Sequence, residues 1–340
     1  MIKERKLVED VSGWLQVYDD GSVVRTWTGP PEIKFVTQPV PPHDEFVDGV
    51  ATKDVVTDES SGKRVRIYLP EKDLEDDDKL PILLHFHGGG FCISQTDWFM
   101  YHNFYSRLTR TARVVCVSVY LRLAPENRLP AAIDDAFAGL LWLQSVSKGD
   151  SHEPWLENHG DFNRVFLIGD SSGGNVVHQV AARAGNVELN TLKLAGGIPI
   201  HPGFVRSERS KSELEKPEST MLTLEMMDKL LSLGLPVGSN KDHPITCPMG
   251  AGAPPLHGLN LPAFLVCLAE MDLMLDTQTE YYEAMKKANK EVELFMNEGM
   301  PHSFYLNAVA MENDTSVAAH ADNLIYKIKE FIASQTLNSS

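Results

Sequence analysis

The sequence predicts an α/β fold: a mostly parallel central sheet with helices on both faces and a helical cap over one end. Three observations predict it. From about residue 65 onward, short runs rich in apolar and β-branched residues alternate with longer segments of helical periodicity, as strands joined by crossover helices do. Many of these runs are continuously apolar, as strands covered on both faces must be. One of them, Val165-Phe166-Leu167-Ile168, passes through Gly169-Asp170-Ser171-Ser172-Gly173-Gly174 directly into a helical segment. Strand, G-x-S-x-G, helix is the pattern of a sharp turn that thrusts a serine hydroxyl out at the top of a sheet, where strand and helix pass too close for a Cβ.

The elements follow in order. From about Glu9 to Asp48 periodicity is weak; Trp14 to Tyr18 reads as a short strand, and Pro30, Pro31, Pro39, Pro41 and Pro42 imply extended chain. Val65 to Leu69 alternates as a strand, and the acidic run Glu71 to Asp78 reads as an exposed loop. Ile82 to Phe86 is a buried strand. Asp97 to Thr111 is helical, with Tyr101, Phe104, Tyr105 and Leu108 on one face, and Val114 to Val119 is a β-branched strand. Pro130 opens a helix through about Val146, as proline in a first turn does. The 165–168 strand and a helix over 174–184 carry the serine. Leu194 to Ile200, Ala263 to Leu268 and Val292 to Met296 are strands, and Thr277 to Ala288 is a helix. A last helix, about Ser316 to Ser334, sets Val317, Ala321, Leu324, Ile325, Ile328, Phe331 and Ile332 on one face. Between about Gly203 and Pro255 the alternation breaks into a charged stretch, one helix (Leu222 to Leu233) and a Pro/Gly-rich return, which reads as an insertion over the strand ends.

Bulk composition narrows the function. The 340 residues are 43% hydrophobic and 23% charged, an ordinary globular balance with material for a sizeable core. The formal net charge of −16 argues against nucleic acid and anionic membrane as partners, both of which recruit Lys and Arg. The four cysteines form no C-x-x-C pair; Cys92, Cys116 and Cys267 lie in or beside apolar runs as small core hydrophobes rather than a disulfide framework. No apolar leader follows the charged first residues and no stretch is long enough to span a bilayer, so a reducing cytoplasmic location is expected.

A serine is a weak nucleophile unless a base, an acid that orients the base, and donors for the oxyanion accompany it. His87-Gly88-Gly89-Gly90-Phe91 leaves the strand ending at Phe86, so its backbone N–H groups, with that of Ser172, suit an oxyanion site. Spacing leaves open which of Gly88, Gly89 and Gly90 donate. After Ser171 the histidines are His178, His201, His243, His257, His302 and His320, and only His302 follows a late strand on a short loop. Asp272 stands just past the strand 263–268, at the carboxyl end where sites of open α/β sheets collect. Asp276, one turn on, is the alternative acid and reads better as a cap or pairing residue. Asp170 reads as bonding within its own loop. His85 and His87 would share one side of a strand as metal ligands do, yet no carboxylate or cysteine accompanies them, and His87 reads as orienting the loop. Trp98, Phe99, Met100, Tyr101 and Phe104 suit either a pocket mouth or core packing. Met221, Met226, Met227 and Leu230 suit an adaptable lid or ordinary packing.

His87-Gly88-Gly89-Gly90, Leu123-Ala124-Pro125-Glu126, Gly169 to Asn175, Asp272 and His302 together resemble the hormone-sensitive-lipase-like branch of the α/β-hydrolases, and more narrowly the plant carboxylesterases related to gibberellin receptors. The resemblance spans about Trp14 to Phe331. It implies one α/β-hydrolase domain over 1–340 with a cap from about 1–45 and 203–255. It implies a Ser171, Asp272, His302 triad and makes Gly89 and Gly90 the likelier oxyanion donors. Tyr120-Leu121-Arg122 departs from the family's Asp-Tyr-Arg, which puts the pocket floor in question. The expected activity is hydrolysis of small-molecule esters, of plant metabolites by the resemblance, through a serine acyl-enzyme, with no metal or organic cofactor. A lyase of the same fold and a non-catalytic hormone receptor are the alternatives, and the oligomeric state is left open.

Overall fold

The chain is described by a computed structural model that covers residues 5–72, 78–219 and 221–337. Residues 1–4 and the middle of the acidic run (73–77) lie outside the described residues.

β1 (Leu7–Val11), β2 (Leu15–Tyr18) and β3 (Val23–Val24) form a small antiparallel sheet of their own. The proline-rich segment is not extended throughout: Pro31–Thr37 winds into a 3-10 turn, because Pro31 sits at its first position, where a fixed φ and a missing N–H are no handicap. β4 (His43–Val47), β5 (Val50–Asp58) and β6 (Lys63–Pro70) then pair antiparallel in sequence. After them come β7 (Leu80–Phe86), α1 (Phe99–Ala112), β8 (Val115–Val119), α2 (Ala131–Lys148), α3 (Pro154–His159), β9 (Gly160–Asp170) and α4 (Ser172–Ala184). β10 (Leu194–Ile200), α5 (Lys211–Glu215), α6 (Leu224–Gly234), β11 (Ala263–Ala269), α7 (Leu275–Lys287), β12 (Val292–Asn297), α8 (Ala308–Asn313) and α9 (Thr315–Leu337) complete the chain.

The large sheet runs β12-β11-β10-β9-β7-β8-β6-β5-β4. Pairs from β12 through β8 are parallel, and β6, β5 and β4 close the edge antiparallel. The alternating side chains of the central strands serve two cores. Ile82, Leu84 and Phe86 of β7 face the helices α2 and α4, whereas Leu83 joins Phe166 and Ile168 of β9 against α1 and α9. Both faces are covered, so β7 is buried at every position and apolar at all but His85, and each large aliphatic buried there is worth about 1.5–3 kcal/mol.

The topology places the site. β8 lies to one side of β7 and β9 to the other, so the loops leaving β7 and β9 diverge and leave a crevice at their carboxyl ends. Register makes those ends level: Phe86 pairs with Gly169, and Ile200 with both Asp170 and Cys267. Over this end lie the N-terminal small sheet and the 203–255 segment. They touch through Lys229 of α6, whose Nζ pairs with Glu9 at 2.9 Å and donates to the Asp10 carbonyl at 2.8 Å. No helix among the described residues is long and apolar enough to cross a membrane.

Candidate active site

Ser171 links β9 to α4 with φ 50° and ψ −123°, a conformation that costs a non-glycine residue about 1–3 kcal/mol and persists only where its surroundings enforce it. They do so from both sides. The Ser171 N–H donates to the Ile200 carbonyl at 2.9 Å, and the Ser171 carbonyl accepts from Gly174 and Gly203, each at 2.9 Å. The helix turns so close under β7 that a Cβ on Gly173 would run into the Phe86 carbonyl oxygen. Glycine at 173 is therefore a steric requirement of the turn. Ser171 opens onto the cavity at the amino end of α4, where the helix dipole favours negative charge.

The N–H groups of the glycine loop differ in their partners. The Gly88 N–H donates to the Tyr101 hydroxyl at 3.1 Å and the Phe91 N–H to Ser172 Oγ at 3.3 Å. The N–H groups of Gly89, Gly90 and Ser172 have no protein acceptor among the described residues, and all three residues line the same cavity as Ser171. Gly89 sits at φ 101°, which an L side chain avoids. His87 orients the loop by its ring Nδ1, 2.8 Å from the Gly88 carbonyl, and burial holds it neutral with a pKa near 4.

On the other wall, Asp272 and His302 meet. His302 Nδ1 donates to Asp272 Oδ2 at 2.6 Å, and both side chains are buried. Asp272 Oδ2 also accepts from Gln278 Nε2, and Oδ1 from the Met274 N–H, both at 2.9 Å. Burial alone would raise the Asp272 pKa, but the His302 imidazole and these donors outweigh it and hold the carboxyl below its ordinary value. The remaining ring nitrogen of His302 is left for the cavity that it shares with Ser171. Ser171 and His302 line the same cavity without a hydrogen bond between Oγ and the imidazole; catalytic hydrogen bonds of this kind commonly tighten only in the complex with substrate.

The other candidates fall elsewhere. Asp276 accepts the Ser212 N–H at 2.7 Å, at the start of α7, away from His302. His178 bonds Tyr281 inside the core. His85 Nδ1 meets Ser118 Oγ at 2.5 Å, and no metal-binding partner set surrounds it among the described residues. Asp170 lies beneath the serine, fully buried; Tyr101 donates to its Oδ2 at 3.4 Å, and His85 Nε2 stands 3.8 Å from its Oδ1. Burial raises its pKa to about 6, against the opposing pull of His87 and His302. One grouping escaped the sequence reading: ring nitrogens of His201 and His302 and a carboxylate oxygen of Asp272 lie within 4.8 Å of one another. A cation there would compete with the hydrogen bonds that already occupy His201 Nδ1 and Asp272 Oδ2. Nothing in the linear sequence separates His201 from the other histidines except its place directly after an apolar strand.

The recess spans about 720 Å³ with the open solvent at its mouth included. Met221, Met226, Met227 and Leu230 all line it, as do Met100 and Tyr101, whereas Trp98 and Phe104 pack in the core. Trp14 enters from the N-terminal segment. Among the described residues Asp170 is the one acidic side chain in the lining, and no Lys, Arg or Glu contributes. Tyr120 and Leu121 lie outside it: Tyr120 donates to Asp54 and Arg122 pairs with Asp135, so neither departing residue forms part of these walls.

Comparison with known proteins agrees with this fold. A family model described as the alpha/beta hydrolase fold matches residues 83–306. Tuliposide A-converting enzyme 1, chloroplastic, of Tulipa gesneriana is 40% identical over 315 residues, covering 92% of this chain and 76% of that protein. Probable carboxylesterase 6 of Arabidopsis thaliana is 36% identical over 303 residues, 88% of this chain and 85% of that one. Among solved structures, the hyperthermophilic esterase of Pyrobaculum calidifontis superposes with a TM-score of 0.68 at 25% identity, over 84% of this chain and 86% of that one. With two thirds of its length inside one family and plant relatives matching nearly all of it, the chain belongs to the α/β-hydrolases, in the hormone-sensitive-lipase-like branch that holds the plant carboxylesterases.

Proposed function

We propose that the chain is a carboxylesterase that cleaves small, uncharged esters through a covalent acyl intermediate on Ser171. Ser171 Oγ attacks the ester carbonyl and passes its proton to His302 Nε2. Asp272 fixes the imidazole by its Nδ1 and stabilises the imidazolium. The N–H groups of Gly89, Gly90 and Ser172 bind the developing oxyanion, each such donor being worth roughly 10²–10³ in rate. His302 then protonates the leaving alcohol and activates the water that releases the acid.

One observation carries the reading: a strained serine, three unpaired N–H groups and an imidazole anchored on a buried carboxylate open into one cavity. The apolar lining supports an uncharged substrate. We take the segments 1–45 and 203–255 as the cap; their contact through Lys229 and their shared lining of the cavity support this. Four buried, unpaired cysteines support a reducing compartment, with the cytoplasm proposed; imaging a fluorescent fusion tests it against the plastid location in the tulip relative's name.

The test is turnover of short-chain p-nitrophenyl esters, with Ser171→Ala as control. The reading expects hydrolysis by the native chain, with the variant folded and inactive. Retained turnover in Ser171→Ala overturns the mechanism. Binding without turnover marks a receptor, and product formed without oxygen from labelled water marks a lyase.

A further inference from the structure

The turn His201-Pro202-Gly203 leaves the carboxyl end of β10 and bonds to all three sides of the site. The Gly203 N–H donates to the Ser171 carbonyl at 2.9 Å, and the residue before the turn, Ile200, accepts the Ser171 N–H at 2.9 Å. The Pro202 carbonyl accepts Gln278 Nε2 at 3.0 Å, and the same amide nitrogen donates to Asp272 Oδ2 at 2.9 Å. His201 Nδ1 accepts the N–H of Ser303, the residue after His302, at 3.0 Å. We infer that this turn is the positioning element of the site and that His201, acting through Ser303, sets where His302 stands. The inference rests on the ester-hydrolysis reading above.

Two strained residues meet at that last bond. His201 has φ 43° and Ser303 φ 52°, both in the left-handed region that non-glycine residues adopt only under constraint. The His201 backbone is pinned by its own N–H, which donates to the Cys267 carbonyl at 2.7 Å. Its ring is fully buried, with centroids 5.9 Å from His302, 5.8 Å from Phe304 and 5.6 Å from Tyr305. It therefore backs the loop that carries His302 as well as tethering it. An N–H can only donate, so Nδ1 must present its lone pair and the ring proton resides on Nε2. Burial keeps His201 neutral down to a pKa near 3, so the tether does not switch with pH in the working range. Neither ring nitrogen of His201 reaches the reacting atoms by any hydrogen bond in the structure, so its part is positional.

The experiment compares His201→Phe, His201→Asn and Gln278→Leu with the native chain in p-nitrophenyl butyrate hydrolysis. The rate is expressed per serine titrated by a fluorophosphonate. Phenylalanine keeps a ring behind His302 and removes the acceptor. Asparagine tolerates φ > 0 and carries an amide oxygen close to where Nδ1 lies. The expected result for His201→Phe is a kcat lower by up to about 10²-fold with KM nearly unchanged, the scale of a 1 Å misplacement of a reacting group. His201→Asn restores most of that loss. Gln278→Leu, which severs the Pro202–Asp272 bridge, lowers kcat in the same manner. A folded His201→Phe with native kcat per titrated site overturns the inference, as does an Asn variant no better than Phe. If His201→Phe does not fold, the Asn and Gln278 variants decide alone: native kcat in Gln278→Leu, or a fall in KM affinity rather than kcat in either, overturns it. Failure of the native chain to hydrolyse any ester counts against the function, not against this turn.

Discussion

Replacing Asp272 by asparagine tests the polarity of the whole site. The carboxylate is fully buried and accepts three hydrogen bonds, from His302 Nδ1, Gln278 Nε2 and the Met274 N–H. All three partners are donors in the native arrangement. An amide can satisfy the Met274 side with its oxygen, but its NH2 then faces the Gln278 amide nitrogen and the His302 Nδ1–H. The His302 conflict is relieved only if the imidazole changes tautomer, with Nδ1 accepting and the proton moved to Nε2. In that tautomer Nε2 cannot take the serine proton. A wrong-tautomer histidine lowers kcat by about 10⁴, which at ~1.36 kcal/mol per decade is about 5.4 kcal/mol of barrier. The Gln278 conflict adds about 1–3 kcal/mol of lost stability, the penalty for a buried donor without an acceptor. The assay is kcat for p-nitrophenyl butyrate, with a urea midpoint on the same sample. Asp272→Asn with the native fold and kcat within tenfold of native would refute the assignment of Asp272 as the orienting acid.

Three further outcomes follow from particular contacts. Gly173→Ala sets a Cβ against the Phe86 backbone, which cannot yield without parting α4 from β7, so a loss of roughly 1–3 kcal/mol is expected in the urea midpoint; Gly252→Ala, with nothing nearer than 3.7 Å, stays native. Asp170 has a native pKa of about 6 against 3.8 when unfolded, so the folded state binds the extra proton between those values and stability falls as pH rises from about 4 to about 6. At ~1.4 kcal/mol per pH unit the native chain should lose on the order of 3 kcal/mol relative to Asp170→Asn across that window; parallel stability curves would contradict it. Leu230 is buried against the glycine loop on the cavity wall, so Leu230→Ala should cost about 2–5 kcal/mol and shift preference toward longer acyl chains, read as kcat/KM over a chain-length series.

The site was legible in the sequence where local chemistry dictates it. The strand–G-x-S-x-G–helix turn needs glycine because Phe86 passes overhead, so the requirement is written into the residues themselves. The strands buried on both faces announce themselves as mainly apolar runs, and the amphipathic stripe of α9 matches the side chains that it buries. β4 and β5 were not legible. β5 is only partly buried beyond Thr52, with Lys53, Asp54 and Asp58 among its nine residues, and β4 is almost wholly exposed at the sheet edge. The 3-10 turn after Pro30 was hidden because proline suits both extended chain and a first helical turn. Which glycine N–H groups remain available depends on Tyr101, thirteen residues away and on another element. His201 was invisible for the same reason: its partner Ser303 lies 102 residues on, and no spacing rule relates them.

The central claim is that Ser171 is the nucleophile. Incubating the native chain with a fluorophosphonate and mapping the modified peptide by mass spectrometry tests it most directly. One adduct on the peptide that carries Ser171, absent from Ser171→Ala and formed far more slowly in a folded His302→Ala variant, is the predicted result. Modification of a different serine in step with loss of turnover would contradict it.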